Sequence, residues 1–223
     1  MSSSPSPESH PQQPSRRRLM IKLGASAAPV ALTLSSRPVF AAGQCNSTSA
    51  WGSAILRNGV ASVQARAAAS RLDNPVWSLS QLVNDTVGMG VGGGAQPWAY
   101  IFGKRYTGAN TGSQTPNAYA QATLKVSDLF PGGISGYSGS PATVHGWLQA
   151  NSSTSNFVSC LLVARINALY AGNAAAQCLG SGQSSDVLGM MATGSFRPAN
   201  GGGNPWTASD ILQYLRDNNY VVA

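Results

Sequence analysis

Phe157-Val158-Ser159-Cys160-Leu161-Leu162-Val163-Ala164-Arg165-Ile166-Asn167-Ala168-Leu169-Tyr170 is the most apolar stretch of the chain. Its Val158, Leu161, Leu162, Arg165, Ile166 and Leu169 recur at intervals of three and four, the spacing of one helix face. Val163 lies off that stripe and makes the helix apolar on more than one side. A helix that leaves no wide polar face to water belongs at the centre of a domain. Thr154 or Ser155 is suited to cap its start. The reading is a mainly α domain around a buried helix over about 155–171.

Working outward, the clearest local signal lies near the end of the chain. Thr207-Ala208-Ser209-Asp210 is a capping box in its Asp form, with Trp206 placed to staple onto Ile211. Ile211, Leu212, Tyr214 and Leu215 give one apolar stripe and Asn218-Asn219 ends it, which predicts a capped helix over about 207–218. Ser140-Pro141 and Asn74-Pro75 each place a good cap before a residue that fits the first helical position. Between Gly88 and Gly139 the chain reads as loop. Trp98-Ala99-Tyr100-Ile101-Phe102 is a short apolar piece of strand or buried turn, so a few short strands complete the expectation. No repeat of domain-building length is present. One loop-rich, Gly-rich domain follows, spanning residues 42–223.

Composition narrows the class of function. The 223 residues hold 14 Lys+Arg against 7 Asp+Glu, a formal charge of +7, yet only 9% of residues are charged. Most of that surplus lies at the start: 1–41 carry five cations and one Glu, leaving nine cations and six Asp beyond them. The remaining cations form no dense stripe, which excludes a nucleic-acid footprint. Residues 1–14 are a Ser/Pro leader without apolar periodicity. Then come Ser15-Arg16-Arg17-Arg18-Leu19-Met20-Ile21-Lys22, a modest apolar stretch, and Val39-Phe40-Ala41. A basic region, a short apolar region and small residues before a cut are the parts of a signal peptide. The apolar stretch contains Gly24 and Pro29 and is too short to anchor, so no stable membrane anchor is expected.

Ser15-Arg16-Arg17-x-Leu19-Met20 resembles the twin-arginine (Tat) export signal, Ser/Thr-Arg-Arg-x-Phe-Leu-Lys. Leu19 and Met20 stand for the usual Phe and Leu, and Lys22 falls one place late. Arg37 near the cut is also typical of these signals. The resemblance covers residues 15–41 and implies a bacterial protein that folds before crossing the membrane. Its partners on the way are the Tat machinery and signal peptidase, which cleaves after Ala41. The destination is then the periplasm, the cell surface or the exterior.

Candidate chemistry in the domain is sparse. His145 is the one imidazole beyond residue 41 and the only candidate for His-based catalysis. Gly88-Met89-Gly90-Val91-Gly92-Gly93 fits the dinucleotide fingerprint by letter, but a helix-like segment precedes it where that site needs a strand. No cofactor is expected. The six Asp (73, 85, 128, 186, 210 and 217) include no pair at helical spacing, and Asp210 and Asp186 suit helix starts. Cys45, Cys160 and Cys178 are candidates for one disulfide after export, with the pairing open. No metal site is expected from one His and no C-x-x-C. Met190-Met191, Phe196 and Trp206 bracket a Gly/Asn-rich loop, either a ligand rim or packing beneath a loop. The preferred reading is a non-enzymatic binding or structural module. The alternative is an exported hydrolase or cofactor-carrying enzyme that uses His145.

Overall fold

The computed structural model describes residues 76–88, 91–171, 186–198, 204–218 and 220–222. Arg16, Arg17, Leu19, Ala41, Cys45, Asp73, Asn74-Pro75 and Cys178 lie outside them. Among the described residues the fold is mainly α, with eight α-helices and a single two-stranded sheet. The helices are α1 (Leu79–Asn84), α2 (Pro97–Arg105), α3 (Pro116–Thr123), α4 (Val126–Leu129), α5 (Val144–Ala150), α6 (Phe157–Ile166), α7 (Val187–Met191) and α8 (Ala208–Asp217).

Helix α6 is the hub that its sequence predicts. Val158 through Ala164 and Ile166 are all buried, and the helix packs against α1, α4, α5 and α8. Its cap is Asn156, whose side chain accepts from Ser159 N–H at 3.0 Å. Thr154 and Ser155 do not serve as the cap, because Ser153 holds them in a turn of its own: its Oγ accepts from Ser155 N–H and its carbonyl from Asn156 N–H. The helix continues as a π-helical turn, Asn167–Ala171, within which Asn167 and Ala168 are buried.

Helix α8 also starts as read. Thr207 and Asp210 form the reciprocal box, with Asp210 Oδ2 accepting from Thr207 N–H at 2.8 Å. Trp206 and Ile211 are both buried, and the Trp206 ring also meets Tyr214, centroids 5.3 Å apart. Trp206 and Thr207 form strand β2, paired antiparallel with β1 (Ser195–Phe196) in the register Ser195↔Thr207 and Phe196↔Trp206.

Three further helix starts or spans differ from the sequence reading. Helix α1 begins at Leu79 behind Ser78, whose capping box with Gln81 satisfies two backbone donors. Helix α5 is capped by Thr143, whose Oγ1 accepts from Gly146 N–H; Ser140-Pro141 is a cis peptide in the preceding loop. An antiparallel bridge between Lys125 and Thr143 fixes that start beside α4. The largest difference is the stretch read as loop between Gly88 and Gly139, which contains α2, α3 and α4. Trp98–Phe102 is helical: Trp98 and Ile101, three apart, are both fully buried, whereas Tyr100 and Phe102 are only partly so. The alternation that resembles a strand is a by-product of large aromatics at the margin of a helix face.

The buried side chains from Trp77 to Val221 form one cluster. Tyr214 and Tyr220 lie inside it with ring centroids 6.0 Å apart, and burial pushes both phenols above their ordinary value of 10.0. The unfolded chain ionises near pH 10 while the folded chain keeps both protons, so this stability is complete below pH 10 and falls as pH rises beyond it. Alkaline titration is expected to give tyrosinate absorbance from this pair only as helical circular dichroism is lost. Tyr220→Phe should move that transition to higher pH. Ionisation of the pair without unfolding would contradict the burial.

Candidate functional site

His145 is the second residue of α5 and is half-buried. Its Nε2 lies 3.2 Å from the Val83 carbonyl of α1. A carbonyl can only accept, so Nε2 carries the hydrogen and donates it. The imidazole also meets the Trp98 ring edge-on, centroids 5.3 Å apart. His145 therefore bridges α1, α2 and α5. Among the described residues its partners are the Val83 carbonyl and the Trp98 ring.

The carboxylates are used at helix starts. Asp85 closes α1 in the left-handed conformation, φ 52°. From there its Oδ1 accepts from Trp98 N–H in the first turn of α2 at 3.2 Å, and its Oδ2 accepts from Asn117 Nδ2 at 2.5 Å. Asp128 accepts from Lys125 N–H at the start of α4 and lies 3.6 Å from Arg105. Asp186 caps α7 through Gly189 N–H and pairs with both terminal nitrogens of Arg165 at 2.7 and 2.9 Å. Asp210 belongs to the α8 box. Each of these four anions thus sits where backbone N–H groups and the helix dipole favour negative charge. Asp186 and Asp210 were legible from their neighbours. Asp85 was not, because the helix it caps starts twelve residues later.

The glycine fingerprint falls between α1 and α2. Among its described residues Gly88 follows α1, and Val91–Gly94 form a short 3-10 turn ahead of α2. A bound phosphate would need the free N–H groups of the next helix, and there Trp98 N–H already donates to Asp85. Gly88 has a different duty. A Cβ on it would lie 2.9 Å from Trp77 Cδ1, and Trp77 is fully buried. Its glycine is required by space against the indole.

Two shallow clefts, of about 450 and 500 Å³, are present on the described surface. The first runs along Phe130–Ser135 to the start of α7, and its one ionisable group is Asp186, already paired with Arg165. The second lies between α1 and residues 152–154, and its lining of Leu79, Val83, an amide and hydroxyls contains no ionisable group. His145 lines neither. Phe196 and Trp206 are 4% and 8% exposed and meet edge-on with centroids 5.5 Å apart, so they belong to the buried cluster and form no exposed aromatic rim. Met191 is buried and Met190 exposed.

Cys160 is a buried thiol whose Sγ donates to the Thr154 carbonyl at 3.0 Å. Burial pushes it above its ordinary value, against the opposing pull of Arg216. With Cys45 and Cys178 outside the described residues, the disulfide expectation rests on sequence alone. Among the described residues no group of three His, Cys, Asp or Glu is placed to hold a metal, and no helix is long and apolar enough to cross a membrane.

The described residues thus define a mainly α fold in which Asp85, Asp128, Asp186 and Asp210 act at helix starts. Compared with known proteins, the chain matches no family, no curated protein and no solved structure.

The glycine argument is directly testable by urea unfolding. Gly88→Ala is expected to destabilise the protein by about 1–3 kcal/mol through overpacking against Trp77. Gly103→Ala, inside α2 where an added Cβ meets nothing within 4 Å, should instead stabilise it by about 0.5–1 kcal/mol. Equal effects at the two sites would refute the assigned role of Gly88.

Proposed function

We propose that the chain is a twin-arginine-exported protein of the cell envelope or secreted space, whose domain is a non-enzymatic binding or structural module. The observation that carries the non-enzymatic part is His145. The one imidazole beyond residue 41 donates Nε2–H to Val83 O and packs on Trp98, which spends it on joining three helices. Four of the six carboxylates beyond residue 41 are likewise engaged at helix termini. Acid–base and nucleophilic mechanisms need such groups converging on a reacting atom, and a domain that commits them to capping is suited to presenting a surface.

Support for export comes from Ser15-Arg16-Arg17-x-Leu19-Met20 and from the small residues ending at Ala41. A surface poor in charge and rich in Asn, Ser, Thr and Gly suits a protein that works outside the cytoplasm by contact.

Two measurements test the proposal. In bacterial cells, Arg16→Lys/Arg17→Lys should stop export and leave full-length precursor in the cytoplasm; undiminished export would refute the twin-arginine reading. His145→Gln should lower the unfolding free energy by about 1 kcal/mol, the worth of a part-buried hydrogen bond and its packing. A turnover displayed by the wild-type protein and lost in His145→Gln would overturn the non-enzymatic assignment.

A further inference from the structure

On the hairpin of α2 and α3, aromatic rings and cations stand together at the surface. Lys104 Nζ lies 5.3 Å from the centre of the Tyr100 ring, and the Arg105 guanidinium lies 5.8 Å from the centre of Tyr106. Tyr119 of α3 meets Phe102 and Tyr106 edge-on, with centroids 5.8 and 5.6 Å apart. All four rings are half-buried, while Gly103, Lys104 and Arg105 are exposed. With about 100° of turn per residue, Tyr100 and Lys104 fall on one margin of the outward face of α2, Phe102 and Tyr106 on the other, and Gly103 between them. A Cβ on Gly103 would meet nothing within 4 Å, so the centre of this face is open.

Charge and polarity select the occupant. Between Asp85 and Asp128 the sequence has no Asp or Glu and three cations, Lys104, Arg105 and Lys125. Asp128 lies 3.6 Å from Arg105 and offsets part of that charge, which leaves the hairpin cationic and suited to an anionic partner. Three cations are too few to match a nucleic acid, which presents a charge about every 1.7 Å. A protein partner would need an anchor buried at the centre of its contact; the centre here is Gly103, and the large apolar side chains exposed on the described residues, Val87, Leu169, Met190 and Val222, lie elsewhere. Residues 107–115, which join α2 to α3, are only Thr, Gly, Ala, Asn, Ser and Gln, an array of hydroxyl and amide groups for a hydroxylated partner. We infer that this face binds an acidic polysaccharide. Sugar rings lie over Gly103 with their C–H faces against the flanking aromatic rings, whose negative faces attract them. Lys104 and Arg105 meet the carboxylates, and the connecting loop hydrogen-bonds the hydroxyls. The inference rests on the reading of the domain as a binding module and names the class of its partner.

Affinity electrophoresis of the full 223-residue chain through gels containing polygalacturonate tests the face. Dextran serves as the neutral polysaccharide and polyglutamate as an acidic chain without sugar rings. The five cations of residues 1–41 are common to every arm, so the differences between variants carry the result. Lys104→Glu should weaken retention by polygalacturonate several-fold. Gly103→Leu fills the centre of the face without touching its charge; it should weaken retention by polygalacturonate several-fold and leave that by polyglutamate unchanged. Both positions are exposed, and an unchanged or raised urea midpoint verifies that each variant is folded. Wild-type retention by polygalacturonate in either folded variant would overturn the inference. An equal loss with polyglutamate in Gly103→Leu would point to an acidic protein as partner and overturn it too, and so would dextran retaining the wild type as strongly as polygalacturonate does. Any of these results would leave the binding-module reading standing and strike only the partner. A turnover lost in His145→Gln would strike the module reading itself, and the glycan affinities are measured independently of it.

Discussion

The buried amide of Asn167 is the constraint on which the two ends of the fold depend. One side chain accepts from Trp77 N–H and donates to the carbonyls of Trp77 and Tyr220, so it stands in for a short piece of β-ladder where no strand is available. Each buried backbone group left without its partner would cost about 1–3 kcal/mol, and three such groups meet at this residue. The π-helical turn is what delivers the amide there: a widened turn shifts the residue's direction relative to the α-helix before it. Among the described residues the most apolar helix thus ends on a polar residue whose side chain makes three buried hydrogen bonds.

The same economy governs the charges. With so few ionisable groups, the domain places Asp85, Asp128, Asp186 and Asp210 on the N–H groups that begin helices. Short helices gain little from propensity and depend on packing and caps, and α1, α4 and α7 are only six, four and five residues long. Arg165 extends the pattern by holding Asp186 in a bidentate pair while its guanidinium lies 5.5 Å from the centre of the Phe130 ring. What looks in sequence like a set of candidate acids and bases is, in space, the framework that allows a Gly-rich chain to be helical.

Legibility followed distance along the chain. The central helix and the Thr207–Asp210 box could be read because both signals are complete within a few residues. Asp186 could be read from its neighbours for the same reason. Helices α2 to α4 were missed because Gly103, the turns around residues 107–117 and the marginal aromatics Tyr100 and Phe102 obscure the i, i+3 pair Trp98 and Ile101. Asp85, His145 and Asn167 gave no local sign of their roles, since each acts on an element far from it in sequence. At Gly88 the structural need is room for Trp77, which no pattern along the chain signals.

By itself the sequence determined the mainly α class, the buried central helix and the capped final helix, because helical period and capping are short-range physics carried within one turn or two. It also supplied every feature from which export is argued, since a signal is read as a linear segment. Tertiary structure alone decided that the short segments from Pro97 to Leu129 become helices and that His145 donates to a carbonyl of another helix. It alone decided that Tyr220 and Val222 meet Asn167 and Leu79. Those outcomes depend on partners brought together by burial of the apolar cluster, and the pairing of remote polar groups follows from that collapse, not from any pattern along the chain.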